Sequence, residues 1–566
     1  MKARRRVKTA ASTLSPLFSG AKSMPYFETL KKHYSRLRKI PGRFALITAL
    51  RRFLRDRITV EQAREKIKSA LERREETFLE LARTHIYERP NGPYLRLLEL
   101  AGCDFSDLRA DVRKHGIEKT LERLAENGVY LTADEFKGKK PVVRGRESFR
   151  VTPENFASLH LSAGFVTQSS GTRNRPVRSG LFLDWLAMKA WATCLFFSAH
   201  DLFSHSHAMY DAILPGSGGI NNLLIYAKLG ISTDRWFARK IPVNTRLEAE
   251  YHYLMTLLIV FMGKRFGPGF PKPEFTDIAD MQRIVGWALE KRRQGKSSSI
   301  TTAASNAARI ARVAPEMGES LAGVKFNVSG EPLTEAKREV IERAGATVTS
   351  RFSYGGSMNV GHGCGNPAHT GEIHVNEHML ALVRHPRPIA DDGPAIHPLL
   401  CTTMHPSASR LLLNVDNGDY ATLERRDCSC ALEEAGLTLH LHHIRSYEKF
   451  TSEGMNYYYG DLFELIERTI PAEFGGGPGD YQLVEEEDSN GQTRLSLLVH
   501  PAVRELDEEK LLARLRQAFS DKTRGNRFTT GVWENAGTFR VRRAVPYESP
   551  RGKILPLHMM LSPAKK

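Results

Sequence analysis

Two short segments of this 566-residue chain carry the residue types of a metal site. Cys364 stands in the first, with His369 and His374 close behind it, and the second is Cys428-Ser429-Cys430. Three thiolates and one imidazole make a tetrahedral set suited to structural zinc, with the two histidines competing for the fourth position. Three of the six cysteines fall here, and a Cys-x-Cys pair is stiff, so the second segment must fold towards the first. Three other stretches could handle phosphate or charge. In FVTQSSGTRNRPVRSG (165–180), backbone N–H groups freed by Gly171 and the hydroxyls of Ser169, Ser170 and Thr172 can wrap phosphate oxygens. Arg173 and Arg175 would add charge-assisted bonds. Asn417-Gly418-Asp419 reads as a turn presenting a carboxylate, and Ser549-Pro550-Arg551-Gly552-Lys553-Ile554 puts a lysine on a Gly/Pro-defined tip.

The elements that must position these groups read as α/β. Residues 326–329 predict a short strand broken at Gly330-Glu331-Pro332. Thr334 is an N-cap for an amphipathic helix ending near Ala344, with Gly345 as its left-handed stop. The alternating, β-branched run 346–354 is the next strand, and Tyr354-Gly355-Gly356-Ser357 leaves bare backbone at its carboxyl end, where open α/β sheets bind ligands. Upstream, Thr59 and Gln62 form a capping box for a long helix over 60–84, and 108–127 is a second helical block. Residues 181–200 predict a buried helix, 212–219 a strand followed by a glycine turn, and 296–303 a polar connection. Residues 380–441 are strand-rich and read as a small β subdomain; after 444 a flexible loop and a helix lead into a small α+β module.

Composition narrows the class. Lys plus Arg (82) against Asp plus Glu (64) leaves +18, spread along the chain and denser over residues 1–57. No helix-turn-helix, RNP-like or basic–aromatic motif accompanies it, so a solvated basic surface is the expectation rather than a nucleic-acid stripe. No stretch reaches the 18 or so apolar residues of a membrane span, and the basic amino terminus lacks an apolar signal segment. Six cysteines in such a length form no disulfide scaffold, so the expected location is a reducing cytoplasm.

Taken in order, five motifs resemble the acyl-adenylate-forming ligases (the AMP-dependent synthetase/ligase superfamily), most closely the phenylacetate–CoA ligase branch. SSGTRNRP looks like the family's phosphate loop; SGEP and YGGS look like its adenine- and acyl-binding segments. NGDYATL looks like the ribose motif, HIRSYEKFTSEGMN like the hinge before a mobile C-terminal domain, and PRGKI like the loop of the adenylation lysine. The resemblance spans roughly residues 150–555. It leaves the amino terminus unexplained, where the residues themselves read as a helical extension and entry to the main domain over 1–150, and implies an adenylating α/β domain with a zinc-pinned β subdomain over 151–444 and a mobile α+β domain over 445–566. It implies ATP, Mg2+, a structural Zn2+ and coenzyme A. Ser169, Ser170, Gly171, Thr172 and Arg175 would hold phosphates, with Gly330, Glu331, Pro332, Tyr354, Gly355 and Ser357 around the nucleotide. Asp419 would accept from the ribose, Arg445 would support ribose or phosphate, and Lys553 would act in catalysis. The IHVNEHM context of His374 also resembles the branch, which selects Cys364, His374, Cys428 and Cys430 as the zinc ligands.

Two departures stand out. Arg175 or its neighbour replaces a usual lysine, and Met358 stands where the family's tyrosine–glycine motif ends in a magnesium-binding glutamate. Methionine is a poor magnesium ligand, so either another carboxylate, Glu331 or Glu372, serves or catalysis is weakened. The expected function is therefore an ATP-dependent carboxylic acid ligase that forms an acyl-adenylate, releases pyrophosphate and acylates coenzyme A. Transfer to a carrier-protein thiol, a protein side chain or an amine is the alternative, with an inactive relative or a basic zinc-containing nucleic-acid-binding protein ranked below. The expected partners are small molecules, with no nucleic acid and with room for a homodimer.

Overall fold

The computed structural model describes residues 42–158, 164–168, 178–239, 246–354, 358–388, 395–446, 449–452, 455–458, 462, 465–504, 506–520, 530–531, 533–547 and 557–559. The chain divides into two compact units, Met1–Phe53 and Leu54–Lys566. The described part of the first belongs to helix α1 (Gly42–Arg55).

In the second unit the capping box forms as the sequence predicts: Gln62 N donates to Thr59 Oγ1, and Thr59 N donates to Gln62 Oε1. The helix it starts is shorter than expected. It stops at Arg73 (φ −96°, ψ 13°), giving α2 (Val60–Glu72) and α3 (Arg74–Ala82). At the break Arg74 donates to Glu377 O at 2.7 Å and pairs with Glu118 at 2.5 Å. After α4 (Pro93–Leu100), the block expected over 108–127 is two helices, α5 (Phe105–His115) and α6 (Ile117–Glu126). Gly116 divides them at φ +78°, a left-handed conformation that glycine adopts without steric cost.

The main sheet follows helix α7 (Leu183–Ala199), whose middle is buried all round. Its strands and covering helices run β1 (Ser206–Ala212), α8 (Gly218–Lys228), β2 (Arg235–Arg239), α9 (Arg246–Phe266), β3 (Pro273–Phe275), α10 (Gln282–Arg293), β4 (Ser298–Ala303), α11 (Ala304–Glu316), β5 (Val324–Ser329), α12 (Glu335–Arg343) and β6 (Thr347–Tyr354). Six strands, with no α-helix between them among the described residues, complete it: β7 (Met358–Gly363), β8 (Ile373–Val375), β9 (Leu380–Arg384), β10 (Pro398–Thr403), β11 (Val415–Arg425) and β12 (Leu439–Ser446). The twelve strands lie in the order β9-β10-β11-β12-β8-β7-β6-β5-β4-β1-β2-β3. The half from β6 to β3 is parallel throughout, and every pairing from β6 to β9 is antiparallel. The fold is thus α/β, with an antiparallel sheet continuing a parallel one.

Local expectations fail at three places. Residues 296–303 hold the central strand β4, buried along its whole length, and not a polar connection. Its threonine hydroxyls are satisfied inside the core: Thr302 Oγ1 donates to Tyr210 O at 3.0 Å and Thr301 Oγ1 lies 2.7 Å from Tyr226 Oη. Polar composition therefore hid a buried strand. The strand expected over 212–219 ends at Ala212, and Gly218 already opens α8. Asn417-Gly418-Asp419 is no hairpin turn but lies within β11. Gly418 takes φ +77° there, while Asp416 Oδ1 and Asn417 Oδ1 accept from Gly418 N and Asp419 N.

Near the carboxyl terminus β13 (Tyr481–Glu487), β14 (Thr493–Val499), β15 (Phe539–Arg543) and β16 (Leu557–Met559) form a four-stranded sheet in the order β15-β14-β13-β16. Helix α13 (Glu508–Ser520) contributes Leu511, Leu515 and Phe519 to its core, with Leu483, Leu497 and Trp533. Among the described residues no helix is long and apolar enough to cross a membrane.

Candidate functional site

The expected zinc ligands are brought together. Cys364 follows β7, His374 lies in β8, and Cys428 and Cys430 occupy the loop after β11; all four are buried, with one ligand atom from each within 4.8 Å of all the others. His374 Nε2 is 3.4 Å from Cys428 Sγ and 3.2 Å from Cys430 Sγ. Its Nδ1–H donates to Leu437 O at 2.6 Å, which fixes the tautomer and leaves Nε2 as the lone-pair donor. Ser429 takes φ +56°, so the Cys-x-Cys backbone curls around the cluster, and Glu433 caps it by accepting from the N–H groups of Cys428 and Ser429. A hydrogen bond from Cys364 holds Cys430 towards the thiolate, against the penalty of burial. Three sulfurs and an imidazole in this arrangement fit zinc.

Glu372 braces the site from behind. It accepts from His440 Nδ1, from Arg426 and from the backbone N–H groups of Ala368 and His369. Burial pushes its carboxyl upward, but these donors outweigh it and bring the group down to about 2. Arg426 also reaches Cys364 Sγ at 3.6 Å. His369 points elsewhere, into a group with His442 and His443.

The nucleotide-site residues are placed in part. Ser169, Ser170, Gly171, Thr172, Arg175, Gly355, Ser357 and Lys553 lie outside the described residues. The strands flanking the Ser/Thr/Gly loop are described: Gly164–Gln168 pairs antiparallel with Arg178–Phe182, and Gln168 sits opposite Arg178. Gly330, Glu331 and Pro332 follow the carboxyl end of β5, and Tyr354 ends the adjacent parallel strand β6. On the antiparallel side Asp419 in β11 sits opposite Ser446 in β12, and Arg445 opposite Tyr420. Asp419 is 3% exposed and accepts from Ser446 Oγ. Sequence reading had missed Ser446, although it lies inside the quoted hinge motif.

Both carboxylates expected as substitutes at Met358 are engaged within the protein. Glu331 accepts from Ser305 N at 2.8 Å and Ser305 Oγ at 2.6 Å, and lies 3.6 Å from Lys337 Nζ. Glu372 is held as described above, and Met358 itself is buried in the main core. Both candidate substitutes are therefore committed to partners within the protein.

Lys337 joins two parts of the chain. Fully buried in α12, it pairs with Glu487 of β13 at 3.2 Å and donates to Thr493 Oγ1 of β14 at 3.3 Å. Nearby, Arg309 donates to Gln492 Oε1 at 2.7 Å, and Gln492 Nε2 donates to Ser305 O. The hairpin between β13 and β14 thus docks on the amino-terminal ends of α11 and α12.

Helix α7 contains an amine that the sequence reading did not single out. Lys189 of α7 is 3% exposed and donates to Asn221 Oδ1 at 3.2 Å. Burial, then the nearby Arg351, lowers its ammonium to about 7. Arg351 in turn donates to Asn222 Oδ1 at 3.1 Å.

No protein-family model and no curated protein matches the chain. Solved structures do. A 2-hydroxyisobutyryl-CoA ligase in complex with 2-HIB-AMP and CoA matches at 15% identity and TM-score 0.48, over 88% of this chain and 90% of that one. Acetoacetyl-CoA synthetase from Streptomyces lividans matches at 14% identity and TM-score 0.31, over 73% of this chain and 56% of that one. A nonribosomal peptide synthetase protein containing adenylation and carrier domains matches at 13% identity and TM-score 0.35, over 73% and 62%. These values mark remote similarity, so residue roles rest on the chain itself.

Proposed function

We propose that this chain is an ATP-dependent carboxylic acid ligase of the acyl-adenylate-forming class. It would activate an acid as its adenylate with release of pyrophosphate, then pass the acyl group to coenzyme A. The observation that carries this reading is the fall of SGEP and the YGGS tyrosine at the carboxyl ends of adjacent parallel strands. That is where open α/β sheets take ligands. Asp419, oriented by Ser446 and its own backbone bulge, supports a ribose-binding role for the second half of the sheet. The carrier-protein thiol, amine and side-chain acceptors are alternatives for the second step.

Attack of a carboxylate on the α-phosphate builds negative charge in the transition state. It calls for cations and backbone donors rather than an acid–base pair. Ser169, Ser170, Gly171, Thr172 and Arg175 would cradle the phosphates, and Lys553 would neutralise the α-phosphate and carboxylate oxygens. Residues 151–444 would form the adenylating part and 445–566 the mobile part, with Arg445 at their junction and Lys337 holding the present docking. Zinc would tie β7, β8 and the loop after β11 together and takes no part in the chemistry. Methionine at 358 stands where the family's magnesium-binding glutamate would be.

The test is ATP-dependent pyrophosphate release over a panel of aryl, fatty and amino acids, in wild type and Lys553→Ala. Release in the first and loss in the second supports the reading. Equal release from both removes Lys553 from the first step.

A further inference from the structure

Strand β12 carries a run of histidines: His440, His442 and His443 alternate with or adjoin Leu439, Leu441 and Ile444. His440 serves Glu372 behind the thiolate set, which leaves two imidazoles with no part in either site described above. They meet a third. One ring nitrogen from each of His369, His442 and His443 lies within 4.8 Å of the other two. His369 lies parallel to His442 with ring centroids 4.0 Å apart and sits 5.1 Å from His443.

Two details mark the group as more than neighbouring rings. First, His442 Nε2 lies 3.3 Å from Glu424 Oε2, while its Nδ1 faces Nδ1 of His443 at 2.9 Å. A carboxylate beside one nitrogen favours a proton there and so turns the lone pair to the other, as second-shell carboxylates do for metal-bound histidines. Two Nδ1 atoms facing each other need either a proton or a cation between them. Second, His443 holds φ +53°, a conformation that costs a non-glycine residue and that breaks strand alternation to turn its ring towards His442. His442 is buried, His369 half-buried and His443 exposed, so the group opens on one side.

We infer that His369, His442 and His443 form a second divalent-metal site, separate from the Cys364 set. It takes a borderline first-row ion such as zinc or nickel through three imidazole nitrogens. Imidazole suits these ions, whereas magnesium and calcium prefer oxygen ligands. Three protein ligands leave a fourth position for water or a small anion. Glu424 is a positioning residue that sets the His442 tautomer. An ion here would tie the loop after β7 to the middle of β12, two residues before Arg445. The inference does not rest on the ligase reading.

Zinc binding to the full-length protein, counted by equilibrium dialysis with elemental analysis, tests it. Wild type should take two equivalents and His443→Ala one. Cys428→Ser should lose the other equivalent and keep this one. Glu424→Gln should weaken the second equivalent by about 10- to 100-fold. With cobalt, thiolate charge-transfer bands should persist in His443→Ala and disappear in Cys428→Ser. Wild type binding at most one equivalent, or His443→Ala retaining both, would overturn the inference. If Cys428→Ser does not fold, wild type against the exposed His443→Ala still decides it.

Discussion

Asp419 shows how a single residue is aimed. Asp416 and Asn417 fold their side chains back onto the next N–H groups, Gly418 takes a positive φ, and the strand kinks beneath the carboxylate. Ser446 then donates to it from the facing strand. If it binds ribose, Asp419→Ala should lower kcat/KM for ATP by about 10- to 100-fold, the range of a lost hydrogen bond to a charged group. Ser446→Ala should have a smaller effect of the same sign; steady-state kinetics with ATP varied would read both. Lys189 makes a prediction about pH. Its ammonium is lowered to about 7 in the folded chain, against an ordinary 10.5 when unfolded. Between these values the unfolded state binds more protons, so this residue's contribution makes stability rise with pH. The advantage of Lys189→Met over wild type in denaturant melts should therefore be largest at pH 7 and shrink by pH 9.5. A gap that widens with pH would show that the amine is not forced neutral by burial.

At the scale of elements, two tethers organise the antiparallel half and the C-terminal sheet. The thiolate set joins β7, β8 and the loop after β11, so Cys428→Ser should reduce zinc from one equivalent at this set to near zero. It should also lower Tm; unchanged metal content by elemental analysis would refute the set. Lys337 is the other tether. Burial opposes its charge, but Glu331 and Glu487 raise its pKa above the ordinary value. Removing one partner of a buried charge group costs roughly 3–5 kcal/mol, because the remaining charges lose compensation. Lys337→Met should therefore loosen the β13–β14 hairpin from α11 and α12, seen as faster release of the C-terminal sheet by limited proteolysis. Cleavage at the wild-type rate would mean that the apolar contacts suffice.

For the whole molecule, what could be read from sequence followed the strength of each local signal. The capping residue Thr334, the stop at Gly345 and the alternation of 346–354 each act over a few residues, and each predicted its element correctly. The thiolate set was equally legible, because two short segments carried most of its chemistry. Strand β4 was hidden, since Ser298, Ser299, Thr301 and Thr302 are all buried yet look solvent-facing in sequence, and the partners of the two threonine hydroxyls lie on neighbouring elements. The buried partners of Glu331 were hidden for the same reason: they depend on residues far away in sequence. The roles of Glu331 and Glu372 illustrate the point, for both read as spare carboxylates and both are enclosed by donors.

The central claim is that this chain couples ATP cleavage to a carboxylic acid despite Met358. Pyrophosphate release with ATP, magnesium and a broad acid panel, without coenzyme A, tests it most directly. The account predicts release that depends on one class of acid and is abolished in Lys553→Ala. A folded, zinc-loaded protein that releases no pyrophosphate with any acid in the panel would contradict it.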